Sequence, residues 1–149
     1  MMKHFAFLAI LALLSISLVG CSGNKPLQGT VKFEDGTPLT VGMVNFVSSE
    51  HGLSRGRIQS DGSFQVGSVR DTDGLPPGTY KIYITGAFEA IETPAGPVQR
   101  DEMGNVIESA GAMRLLIALR YVTEENTPLT VEIPAPGNRH DIVVTRFAN

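Results

Sequence analysis

From Leu27 onward the apolar residues fall at every second position in short runs, and turn chemistry cuts each run after a few residues. A period of two sends alternate side chains to opposite faces of an extended chain, so one face can be buried while the other stays wet. Leu27, Gly29, Val31 and Phe33 alternate with Gln28, Thr30 and Lys32, and Asp35-Gly36 follows as a turn. Residues 41–47 put Val44 and Phe46 on one face. Residues 54–66 form two short arms around Asp61-Gly62, the pattern of a two-residue hairpin. Residues 78–85 are the cleanest strand: Tyr80, Ile82 and Ile84 share a face, and the Tyr80 hydroxyl is expected beside a backbone partner. Leu129, Val131 and Ile133 alternate with Thr130 and Glu132. Pro136-Gly137-Asn138 then turns the chain, with Pro and Gly placed as a type II turn prefers, and residues 142–144 are expected to close a final hairpin. Many short strands separated by turns predict an all-β, antiparallel β-sandwich.

Residues 86–119 break the alternation. Pro94, Gly96, Pro97 and Gly104 predict a long surface loop there, with the sandwich complete without it. Residues 108–119 allow either a short helix on Met113, Leu116 and Ile117 or an extended arm returning to the sheet.

Composition closes off several classes. Hydrophobic residues make up 42%, enough to bury a core, and 16 Gly with 9 Pro stay below the content of a low-complexity chain. A single Cys excludes an intrachain disulfide and a zinc site of several cysteines. The net charge is −3 with no basic run, so a nucleic-acid partner is not expected.

The first residues read as an address. Lys3 precedes residues 5–19, an apolar-to-small stretch of 15 residues, shorter than the roughly 20 that cross a bilayer as a helix. It ends in Leu18-Val19-Gly20-Cys21, which resembles the lipobox of bacterial lipoproteins. That resemblance implies cleavage between Gly20 and Cys21, a thioether from Cys21 to diacylglycerol, and acylation of the new amino terminus. The expected organisation is a signal peptide over 1–20, a lipid-anchored tether over 21–26 and a sandwich over 27–147. The partner so implied is the membrane, reached through the lipid on Cys21. Two or more acyl chains, at ~0.8 kcal/mol per buried methylene, make such attachment firm. Ser22, in place of Asp, goes with outer-membrane sorting in this class.

A second resemblance covers residues 26–147. Gln28-Gly29-Thr30-Val31 with Asp35-Gly36-Thr37-Pro38-Leu39, then Ser60-Asp61-Gly62-Ser63-Phe64, then Leu75-Pro76-Pro77-Gly78-Thr79-Tyr80 are similar to carboxypeptidase-regulatory-like domains. Arg120-Tyr121 with Asn126-Thr127-Pro128-Leu129-Thr130-Val131 resembles a segment of small bacterial lipoproteins carrying that domain. The resemblance implies a transthyretin-like (prealbumin-like, broadly Ig-like) sandwich of about seven strands. It implies no catalytic activity and no cofactor. The chain departs from the group at Ala118-Leu119, where a proline is usual, so the path of this arm stays open.

Asp71-Thr72-Asp73-Gly74 begins like a calcium loop, but Leu75 and Pro76 stand where an oxygen ligand and Gly are needed, so a solvated turn is expected. His51 and His140 lack a G-x-S-x-G elbow. A Lys32–Asn138 isopeptide lacks its acid at Ile84 or Thr85. Tyr83 and Tyr121, with the long loop, are candidate contacts for a sugar or protein; scattered surface aromatics are the plain alternative. The reading is a non-catalytic, lipid-anchored module of the bacterial envelope, binding or structural, with an envelope protein or polysaccharide as partner. The alternative is a carbohydrate- or peptide-binding accessory of an outer-membrane uptake or surface complex. No enzyme activity, metal or small-molecule cofactor is expected.

Overall fold

The computed structural model describes residues 23–67, 73–91, 102–104 and 112–148. The leader, the Gly20–Cys21 junction, Asp71-Thr72 and residues 92–101 and 105–111 lie outside the described residues. The described chain is β throughout, with short 3₁₀ turns and no α-helix.

Two sheets enclose one core. The first orders β4 (Ser63–Gln65), β1 (Gln28–Phe33) and β9 (Ile142–Val144). The second orders β3 (Gly52–Arg57), β2 (Met43–Ser48), β5 (Gly78–Thr85) and β8 (Leu129–Ile133). Alternation decides which side chains go inward. Val31 and Phe33 of β1, Val44 and Phe46 of β2, and Tyr80, Ile82 and Ile84 of β5 are all buried. Phe46 of one sheet meets Phe64 of the other with ring centroids 6.0 Å apart.

Pairing differs from the expected hairpins. The Asp61-Gly62 turn closes locally, with Gln59 N–H donating to the Ser63 carbonyl at 2.8 Å. Its two arms keep one antiparallel pair, Arg55 with Gly67 through two 3.1 Å bonds, but their main ladders diverge: β3 pairs with β2, and β4 pairs with β1. The final hairpin is likewise absent, since β8 pairs with β5 while β9 runs parallel to β1. The sandwich is therefore mixed rather than purely antiparallel. Gly137 takes the expected left-handed conformation, φ +63°, but Asn138 follows it at φ +56°, and the turn swings the chain from one sheet to the other.

The 86–119 segment is also not all loop. Phe88–Ala90 (β6) and Met113–Leu115 (β7) pair as an antiparallel ribbon, tied by the Glu89–Arg114 ion pair. Beyond it Leu116 changes partner: its N–H donates to the Ala87 carbonyl at 2.9 Å, and its carbonyl accepts from Phe147 N–H at 3.0 Å. Residues 116–118 then run beside 145–147 and extend the first sheet past β9. Ile117 and Ala87 are fully buried, so both ends of this segment belong to the core. The arm at Ala118-Leu119 is thus extended up to Ala118, and a 3₁₀ turn, Leu119–Tyr121, follows.

Two substitutions probe this packing. Phe46→Ala should destabilise by about 3–5 kcal/mol, the usual cost of truncating a buried aromatic, read from denaturant midpoints. Gly29 sits where a Cβ would lie 1.9 Å from the His140 carbonyl oxygen and 2.8 Å from the Phe64 ring. Gly29→Ala should therefore cost at least the upper end of the roughly 1–3 kcal/mol typical of overpacking, because backbone has to move.

Candidate functional site

Strand directions divide the loops between two ends. One end gathers the start of β1, the 48–52 turn, the approach to β5 and the turn at Gly137. Lys25 fixes the chain there: its N–H donates to the Leu75 carbonyl at 2.7 Å, and its carbonyl accepts from Leu75 N–H at 2.8 Å. The Tyr80 hydroxyl donates to the Pro76 carbonyl at 2.9 Å, as expected of a corner tyrosine, and burial pushes its acidity down, raising its pKa. His51 lies against the Tyr80 ring, 6.3 Å between centroids, with Nε2 3.1 Å from the Pro77 carbonyl. A shallow cleft of about 300 Å³ opens between Pro26, Gln28, Gln65, Val66 and Asn138.

The opposite end carries most of the exposed apolar residues, although Leu53 stands partly exposed beside the 48–52 turn. Val41, Phe88, Met113, Leu119 and Phe147 all stand in solvent there, Leu119 at 61% exposure. On the ribbon, Phe88 faces Leu115 and Ala90 faces Met113, giving one apolar face, while Glu89 and Arg114 take the other. An open groove of about 470 Å³ is lined by Ala118, Leu119, Arg120, Thr145, Arg146 and Phe147. Arg120 donates to Thr145 Oγ1 at 2.9 Å and lies 4.9 Å from the Tyr121 ring centre.

Arg146 belongs to a clamp at this same end. Its guanidinium sits 3.8 Å from the Phe33 ring centre and donates to Asp35 Oδ2 at 3.1 Å and to Thr37 Oγ1 at 2.6 Å. Asp35 Oδ1 accepts from Thr37 Oγ1 at 2.5 Å and from Thr37 N–H at 2.9 Å. The Thr37 hydroxyl, the Thr37 N–H and then Arg146 together lower the Asp35 pKa to about 2. Asp61 repeats the motif on Ser63, and Asp141 holds Arg139 and Thr30; both are shifted down for the same reasons.

The candidate contact tyrosines do not meet. Tyr83 is half-buried on the outer face of the second sheet, opposite Asn45. Tyr121 is only 6% exposed and fills the core, because the turn at Leu119–Tyr121 directs its ring inward while Leu119 takes the outer position. The histidines lie apart as well: His51 is in the 48–52 turn, and His140 is half-buried beside β1, where burial lowers its pKa against the opposing pull of Asp141. Sequence reading missed Asn45, a buried amide that donates to the Met43 and Tyr83 carbonyls and to Thr85 Oγ1 at 3.1–3.2 Å. Only its place inside the apolar run at residues 44–47 hinted at it. Among the described residues no buried side-chain nitrogen or oxygen lacks a partner, and no cluster of three or more His, Cys, Asp or Glu is placed to hold a metal. No helix among them is long and apolar enough to cross a membrane. No family model, curated protein or solved structure matches the chain.

The clamp has a pH signature. A carboxylate whose folded pKa lies below its unfolded value stabilises the fold above the unfolded value, and that contribution is lost as pH falls through the folded one. Asp35 places the window between 3.8 and about 2. Asp35→Asn should lower the urea midpoint at neutral pH and flatten its decline across that window, as measured by a pH series on both proteins.

Proposed function

We propose that this chain is a non-catalytic, lipid-anchored module of the bacterial cell envelope, acting in binding or structural support. The observation that carries this reading is Leu18-Val19-Gly20-Cys21 at the end of a 15-residue apolar stretch behind Lys3. A thiol after a small residue is what thioether lipidation needs. The membrane is then reached through the lipid on Cys21, and Ser22 favours the outer membrane.

The all-β body supports kinship with the transthyretin-like, carboxypeptidase-regulatory-like domains. The residues behind that resemblance have physical jobs. Gly29 admits the His140 backbone, Asp35 and Asp61 hold turns through Thr37 and Ser63, and Tyr80 ties the approach to its own strand. The alternative, an accessory that binds a carbohydrate or peptide for an uptake or surface complex, draws support from the apolar groove at Leu119 and Phe147. Tyr121, being buried, no longer contributes to it.

Cys21→Ser tests the anchoring. Expressed in a diderm bacterium, the variant should accumulate as unprocessed precursor and take up no labelled fatty acid, while the native chain is shortened and labelled. Equal processing of both, with release as soluble protein, would refute the lipid anchor.

A further inference from the structure

The point at which the folded body begins constrains how it can stand on a bilayer. The reciprocal bonds between Lys25 and Leu75, 2.7 and 2.8 Å, fix the chain from Lys25 onward. Cys21 precedes Lys25 by four residues. At a maximum of about 3.6 Å per residue, Lys25 lies within about 14 Å of the lipidated residue, whatever path the tether takes. The other end is much farther away. β5 has 8 residues and runs from the Lys25 end to the ribbon, a span of about 23 Å at a rise of about 3.3 Å per residue. The tether is thus shorter than the body it carries.

We propose that the Lys25 end of the domain docks on the lipid headgroups, and that the Leu119–Phe147 groove opens away from the bilayer. This rests on the lipid-anchor reading of Cys21. The chemistry of the two ends fits the arrangement. The headgroup-facing end presents His51, Asn138 and Arg139, polar groups suited to a hydrated interface, with Leu53 partly exposed beside them. The exposed Phe88, Met113, Leu119 and Phe147 would by themselves suggest insertion into lipid, but they lie about a strand length from Lys25, so they reach lipid only if the domain tips over and takes its polar end off the headgroups. An upright domain keeps them in solution.

Energy transfer to a headgroup acceptor tests this. The full lipidated chain carries a fluorophore on either Glu50→Cys, in the 48–52 turn, or Glu34→Cys, beside the Asp35-Gly36 turn; both positions are exposed. It is reconstituted into phosphatidylethanolamine–phosphatidylglycerol vesicles containing an acceptor-labelled lipid, and vesicle flotation is scored first. The expected result is flotation of both proteins, with transfer several-fold stronger from position 50 than from position 34. Flotation with equal transfer, as for a domain lying on its side, or with stronger transfer from position 34, as for apolar residues dipping into lipid, overturns the orientation while leaving the anchor intact. Failure of the native lipidated preparation to float overturns both.

Discussion

The core between the two sheets is the constraint on which everything else depends, because the chain keeps leaving one sheet for the other. β1 and β2 lie in different sheets, as do β3 and β4, β4 and β5, and β8 and β9. Within the two sheets, β2 with β3 is the one full ladder between sequence neighbours among the described strands. Most strands pair with partners distant in sequence, so burial of Phe46, Phe64, Tyr80 and Ile82 between the sheets is the interaction that holds them together. Such a topology closes many long loops before its contacts reward it, which slows folding relative to a hairpin meander.

This also explains what was legible in the sequence. The positions of the long strands and the inward identity of Val31, Val44, Phe46, Tyr80, Ile82 and Ile84 follow from a period of two, a local property of the chain. Partner choice does not. Asp61-Gly62 and Pro136-Gly137 carry the chemistry of tight turns, and tight turns form there, yet the strands they join go to opposite sheets. Turn chemistry specifies a reversal of direction and says nothing about which sheet receives the chain. The β6–β7 ribbon was hidden because each strand is three residues long and the two are far apart in sequence, too short to show a period. Tyr121 was misplaced because a single 3₁₀ turn, not an alternating strand, decides which of Leu119 and Tyr121 points inward.

The open edge of the second sheet is managed by its own sequence. β8 is the last strand of that sheet, and Pro128 and Pro134 flank it directly. Proline cannot donate to a ladder, so a strand added alongside would lose its continuation at both ends. Glu132 adds an exposed charge within β8. In the first sheet, residues 116–118 pair with 145–147, the stretch that follows β9.

The acidic residues complete the argument about chemistry. A carboxylate that serves as general acid, base or metal ligand needs lone pairs directed at a ligand. Asp35 spends them on Thr37 and Arg146, Asp61 on Ser63, and Asp141 on Thr30 and Arg139. Each is held in its charged form by those donors, the reverse of the raised pKa that a catalytic acid requires near neutral pH. Their positions explain the expenditure. Asp35 joins the turn after β1 to the tail after β9, and Asp141 joins β9 to β1, so both lock the parallel pair that no turn connects. Asp35 and Asp141 thereby hold the first and last strands of the domain together, while Asp61 fixes its own turn.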